Sequence, residues 1–163
     1  MNKLLMKVLG LFLIVTIYVS CEELSEEDLI YNSEVISIEY GKSFGECNGY
    51  CDFSLTLTEN TLNYKVSSFT NAVQYPEISR TIEIDSIIWL ELREKVDFLL
   101  FRNLNEVIGC PDCADEGAEW VKLETRDISH KVTFEYENEP EEIEDLVDGL
   151  RELMDEYEFT LDV

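Results

Sequence analysis

This sequence of 163 residues predicts an α+β domain: an antiparallel sheet of about six strands covered by two amphipathic helices, in the order ββββαββα. Three observations carry that expectation. Short segments alternate apolar and polar residues, the period-2 pattern of half-buried strands. Several are joined by turn-sized gaps, as antiparallel hairpins require. Two longer segments repeat apolar residues at helical spacing, and an amphipathic helix needs a face to cover.

Taken in chain order, "VISIEY" (Val35 to Tyr40), "FSLTLT" (Phe53 to Thr58), "LNYKVS" (Leu62 to Ser67) and "ISRTIEI" (Ile78 to Ile84) are the first four strands, with "ENT" short enough to turn a hairpin between the second and third. Asp85 or Ser86 can cap the next segment, "IIWLELREKVDFLLF", whose Ile88, Leu92, Val96, Leu99 and Leu100 fall on one helical face. "AEWVKLET" (Ala118 to Thr125) and "HKVTFEY" (His130 to Tyr136) alternate again around "RDIS", a second hairpin. The chain closes on "PEEIEDLVDGLRELMDEY". There Pro140 suits a first helical turn, Glu141 and Glu142 complement the helix dipole, and Ile143, Leu146, Val147, Leu150, Met154 and Tyr157 form one apolar stripe. No Pro/Gly/Ser-rich linker or repeat interrupts the chain after Val35, so residues 35–163 form one domain.

The first twenty residues have a basic start at Lys3 and Lys7 and then an apolar run, the layout of an export signal. Leu4 to Val19 spans only 16 residues, short of the roughly 20 a bilayer span needs, and the acidic "EELSEED" that follows offers no basic flank to hold one. "YVSC" resembles the lipobox of bacterial lipoproteins, with Tyr18 where an aliphatic residue is usual. That resemblance implies a signal peptide over residues 1–20 and lipidation of Cys21. Cysteine arithmetic agrees: of five cysteines, a lipid on Cys21 leaves an even four. Residues 21–34 then read as an acidic tether, in which a dozen residues reach about 40 Å when extended. Acidic residues just after such a cysteine resemble the signal that sends some Bacteroidota lipoproteins to the outer face of the outer membrane. The expected address is therefore the cell envelope, with the protein anchored to the outer membrane and either periplasmic or surface-exposed.

Cleavage after Ser20 removes two of the twelve basic side chains and leaves 36 acidic against 10 basic, a formal charge of −26. Nucleic acid is bound mainly through Lys and Arg on phosphates, so it is excluded as a partner. Acidic lipid surfaces repel the same charge, which leaves the lipid on Cys21 as the membrane contact. The charge itself serves solubility and spacing from neighbours.

The remaining cysteines lie in "CNGYC" (Cys47, Cys51), between the first two strands, and "CPDC" (Cys110, Cys113), between the first helix and the fifth strand. Three chemistries compete. Redox catalysis needs a thiol at a helix N-terminus, whereas Cys110 follows a helix and the surrounding Asp112, Asp115, Glu116 and Glu119 would suppress thiolate. Zinc could take four thiolates from the two pairs, although thiols outside the cytoplasm are generally oxidised. Structural disulfides are the preferred reading. The simplest pairing is Cys47–Cys51 and Cys110–Cys113, with two crossed connectivities open. Such short closures fix loop shape and stabilise less than the roughly 3 kcal/mol of a 15-residue loop.

"FGECNGYC" and "GCPDCADEGAEW", each leading into an alternating strand, resemble short lipoproteins of Bacteroidota that carry a C-x-G-x-C tip and a CPDCAD-x-GAEW block. The resemblance covers most of the mature chain. It implies an address and a shared fold and carries over no catalytic residue.

Other chemistry is sparse. His130, the single histidine, stands at a strand start with no nucleophile elbow elsewhere, and reads as a surface residue. Asp112, Asp115, Glu116 and Glu119 miss the spacing of an EF-hand loop and read as a solvated acidic loop rather than a calcium site. Trp89 and Trp120, among aliphatic neighbours, read as packing residues. The expected function is non-enzymatic and without cofactor: a lipid-anchored envelope protein that binds an envelope partner or serves a structural role. Zinc binding by the two cysteine pairs is the alternative.

Overall fold

A computed structural model describes residues 35–113 and 117–158; the expected signal peptide, Cys21 and the tether lie outside the described residues. Six strands form one antiparallel sheet: β1 (Ser37–Ser43), β2 (Asp52–Leu57), β3 (Thr61–Ser67), β4 (Ile78–Glu83), β5 (Ala118–Glu124) and β6 (Ser129–Glu135). They lie in the order β4-β3-β2-β1-β5-β6. β1 is thus interior, with β2, β3 and β4 on one side and the β5–β6 hairpin on the other. It also begins two residues later and runs three residues further than the alternation predicts. The run "GKS" still pairs on both flanks, with Gly41 opposite Ser54 and opposite Trp120. A Cβ on Gly41 would meet the Trp120 ring at 2.1 Å, so the residue that ends the apolar alternation is the one that lets the indole cross the strand.

The register gathers the core onto one face. Ile82, Leu62, Leu57, Ile38 and Leu123 form one cross-strand row, and Tyr64, Leu55, Tyr40, Val121 and Val132 form the next. Helices cover that face. The last helix, α3 (Glu144–Glu158), follows a 3-10 turn over Glu141–Ile143 and buries Leu146, Val147, Leu150, Leu153 and Met154. Among the described residues no helix is long and apolar enough to cross a membrane.

The segment expected as a single first helix is two. α1 (Ser86–Glu94) is capped by Asp85, whose carboxylate accepts from the Ile87 N–H at 3.0 Å. α2 (Phe98–Phe101) is capped by Asp97, which accepts from the Leu100 N–H at 2.9 Å. The break between them changes the helical phase. α1 and the link bury Trp89, Leu92 and Val96, and α2 then buries Phe98 and Phe101, leaving Leu100 exposed. Leu99 and Leu100 fit the stripe of an unbroken helix, but after the second cap Leu99 is only half-buried and Leu100 is exposed. Hence one long and two short helices cover the sheet.

These placements separate two leucines that look alike in sequence. Leu146→Ala should lose roughly 2–5 kcal/mol in urea unfolding, as a buried truncation, and Leu100→Ala should stay within about 0.5 kcal/mol of wild type. Equal losses would mean that α2 continues α1 in one helical phase.

Candidate functional site

The two cysteine loops meet at one end of the sheet. Cys47 and Cys51 are bonded, with Cα atoms 5.7 Å apart, and close the tip between β1 and β2. The Phe44 N–H donates to the Cys51 carbonyl at 2.9 Å and the Cys51 N–H to the Ser67 carbonyl at 3.0 Å, so the tip continues the sheet ladder. Cys110 and Cys113 are bonded across 5.5 Å, within a turn in which the Cys113 N–H donates to the Cys110 carbonyl. Asp112, at φ +59°, sits between them. Its N–H donates to the Gly117 carbonyl at 3.0 Å, and its carboxylate accepts from the Gly45 N–H at 3.3 Å, joining one stapled loop to the other. Phe44 packs edge-on to Tyr136 at 5.0 Å beside this junction.

A third loop flanks the tip. Between β3 and β4, Asn71 accepts from the Gln74 N–H and its carbonyl accepts from the Tyr75 N–H, which folds the loop on itself. Tyr75 then packs edge-on to Tyr50 at 5.6 Å, inside the Cys47–Cys51 ring. Phe69 and Val73 of this loop are 60% and 96% exposed. No alternation marks the segment, so nothing in the sequence distinguishes these two apolar side chains from a polar connection.

Titratable groups converge at a different place, under α3. Glu119 was expected in the solvated acidic loop but lies in β5 at 1% exposure. The alternation of "AEWVKLE" puts it on the same face as Val121 and Leu123, toward the helices. Arg151 of α3 answers the charge: its Nε donates to Glu119 at 3.1 Å and its Nη2 to the other carboxylate oxygen. The Tyr40 hydroxyl donates to Glu119 at 2.7 Å, and the same guanidinium reaches Glu139 at 3.0 Å. Burial, together with the Glu119 charge, pushes the Tyr40 phenol well above its ordinary value. Burial works against the Arg151 charge, yet its hydrogen bonds to Glu119 and Glu139 hold the guanidinium more firmly protonated than usual. The Arg151 hydrogen bonds also keep the Glu139 carboxyl below the usual carboxylate range. Tyr40, Glu139 and Arg151 carry no motif. The signal that points to them is one acidic residue on an apolar face, since a buried carboxylate must be paired.

The other candidates are engaged in packing. His130 is half-buried rather than a free surface residue: its Nε2 meets the Leu104 carbonyl at 3.0 Å and its ring packs edge-on to Phe101 at 5.5 Å. Asp112 is exposed beside Gly45, Asp115 and Glu116 lie outside the described residues, and Glu119 points to α3. The four acidic residues therefore do not form one described cluster. Among the described residues no group of three or more His, Cys, Asp or Glu side chains is placed to hold a metal ion. Trp120 is buried on the sheet face away from the helices, across Gly41, with the Lys131 ammonium 4.3 Å from its ring centre. Comparison with protein-family models and with curated proteins finds no match.

Two predictions follow from the carboxylate cluster. Arg151→Met leaves Glu119 charged and buried, and should cost roughly 3–5 kcal/mol in denaturant unfolding, while adding Glu119→Leu should recover most of that loss. A single variant as stable as wild type would show that the pair does not hold α3. The pH dependence has a definite sign, because the folded-state pKa of Glu139 lies below its ordinary value of 4.5. Its contribution is full above that value and lost as pH falls through the folded-state pKa. The melting temperature should therefore fall on acidification below about pH 4.5, and Glu139→Gln should flatten that fall; an unchanged slope would remove Glu139 from the acid response.

Proposed function

We propose that this is a non-enzymatic lipoprotein of the cell envelope, anchored to the outer membrane through a lipid on Cys21 and binding an envelope partner through the stapled end of its sheet. The observation that carries the reading is the direction of β1. The chain enters the domain at Val35, and seven residues of central strand later it reaches the Cys47–Cys51 tip. At about 3.3 Å per residue, that strand sets the tip some 20 Å beyond the entry point. An anchor upstream of Val35 would leave the stapled loops facing away from the membrane, with Phe69 and Val73 exposed beside them.

The distribution of reactive groups supports a binding role over catalysis. Both cysteine pairs are closed, Glu119 is held by Arg151, and the His130 ring nitrogen meets a backbone carbonyl. Zinc held by Cys47, Cys51, Cys110 and Cys113 is the alternative, and it requires four thiolates where these contacts supply disulfides. The same formal charge of −26 that keeps nucleic acid away leaves protein partners open.

Palmitate fed to cells should label the protein, and Cys21→Ala should abolish both the label and membrane retention; an unlabelled, soluble mature protein would reject the anchor. A photo-crosslinker at Val73 should capture a discrete partner in intact cells, whereas one at Asn60, in the hairpin at the opposite end, should not. Capture from Asn60 alone would reject the stapled end as the binding surface. Stoichiometric zinc with four alkylatable thiols would replace the whole reading by the metal alternative.

A further inference from the structure

α1 and α3 approach closely at Gly149, where an added Cβ would meet the Leu92 side chain at 2.7 Å. Beside that approach the helices leave a groove of about 250 Å³. Its floor is apolar, made by Ile88 and Leu92 of α1 and Leu153 of α3, and its rim is Glu91, Glu152 and Glu156. All three rim carboxylates are exposed. The rim has one cation, Lys95, whose ammonium is tied to the Asp145 carbonyl at 3.1 Å. Ile87 and Leu90 extend apolar surface over the solvent side of α1, at 57% and 43% exposure.

The surroundings are mostly anionic, the cations within α1 and α3 being Arg93 and Arg151, both half-buried. α1 and α3 together expose eight carboxylates, while Arg151 is held by Glu119 and Glu139. An apolar floor between two helices takes the apolar row of a third helix, and a carboxylate rim takes the Lys or Arg residues that flank such a row. A second copy of the same face would set like charges against each other.

We propose that the α1–α3 groove docks a cationic amphipathic helix of a partner protein. The surface is separate from the stapled end and does not depend on the anchor. Helix and groove meet as an apolar row on Ile88, Leu92 and Leu153, with basic side chains on Glu91, Glu152 and Glu156.

The test uses the full chain in phosphatidylcholine nanodiscs, with empty nanodiscs as the blank, titrated against a fluorescent Leu/Lys amphipathic helix. Saturable binding is expected, with a Leu/Glu helix of the same length and a scrambled Leu/Lys peptide binding far more weakly. The triple variant Glu91→Gln, Glu152→Gln, Glu156→Gln should weaken binding about tenfold and flatten its salt dependence. A triple variant of equal charge elsewhere, Glu46→Gln, Glu77→Gln, Glu83→Gln, should stay within about threefold of wild type. Equal losses in the two variants would reduce the effect to bulk charge and overturn the proposal. Absence of saturable binding, or equal binding by the scrambled peptide, would overturn it too. So would cross-linking between two copies through this face that is lost in the rim variant, since the groove would then belong to self-association.

Discussion

The pairing of Glu119 with Arg151 constrains how this fold can be assembled. A carboxylate at 1% exposure on the core face of a sheet is stable only beside a cation. The cation comes from the middle of α3, so that helix must lie across β5 with Arg151 over Glu119. The bidentate geometry and the Tyr40 hydroxyl narrow the choice further, because both carboxylate oxygens are occupied in defined directions. With the rotation of α3 set in this way, Leu146, Val147 and Leu150 face the sheet, while Gly149 meets Leu92 of α1. The groove between the helices is a consequence of the same rotation.

The two faces of the sheet solve different problems. One is covered by helices and forms the core. The other is closed locally by Trp120 lying across Gly41 under Lys131, and elsewhere carries polar cross-strand contacts such as Asn63 with Ser79 and Thr81. The edges differ as well. β6 is partly covered by the chain at Val107, which pairs with Thr133 in parallel fashion and lets the Ile108 N–H reach the Thr133 carbonyl. β4, the other edge, presents Ser79, Arg80, Thr81 and Glu83 to solvent, a composition that discourages strand addition.

Three surfaces with different chemistry are therefore carried by one small core. The loop end is shaped by two short disulfides and by contacts between loops, Asp112 to Gly45 and Tyr75 to Tyr50. The hairpin end is where the chain enters. The helical layer is acidic with an apolar seam. In the proposed arrangement these correspond to a partner-facing end, a membrane-facing end and a flank for a basic helix. Rigid attachment to one sheet would keep them at fixed separations.

Much of this was legible in the residues, for reasons that are local. Period-2 alternation locates all six strands because each has one face on the core, and the stripe from Ile143 to Tyr157 locates α3 because a single helix keeps one phase. The cysteine pairs lie close enough in sequence for local closure to be the simplest pairing. What tertiary structure alone decided concerns groups whose environment is made by distant segments. The break between α1 and α2 depends on two caps competing with one continuous helix, and it moves burial from Leu99 and Leu100 to Phe98 and Phe101. Glu119 follows an acidic loop in sequence and so reads as solvated; the alternation of β5 puts it on the inner face, but its partners come from distant segments, the Tyr40 hydroxyl from β1 and the Arg151 guanidinium from α3, 32 residues on. His130 likewise reads as a surface residue until Leu104 and Phe101 are brought against it. Periodicity records which face of an element is buried, and it holds no information about which distant side chain meets that face.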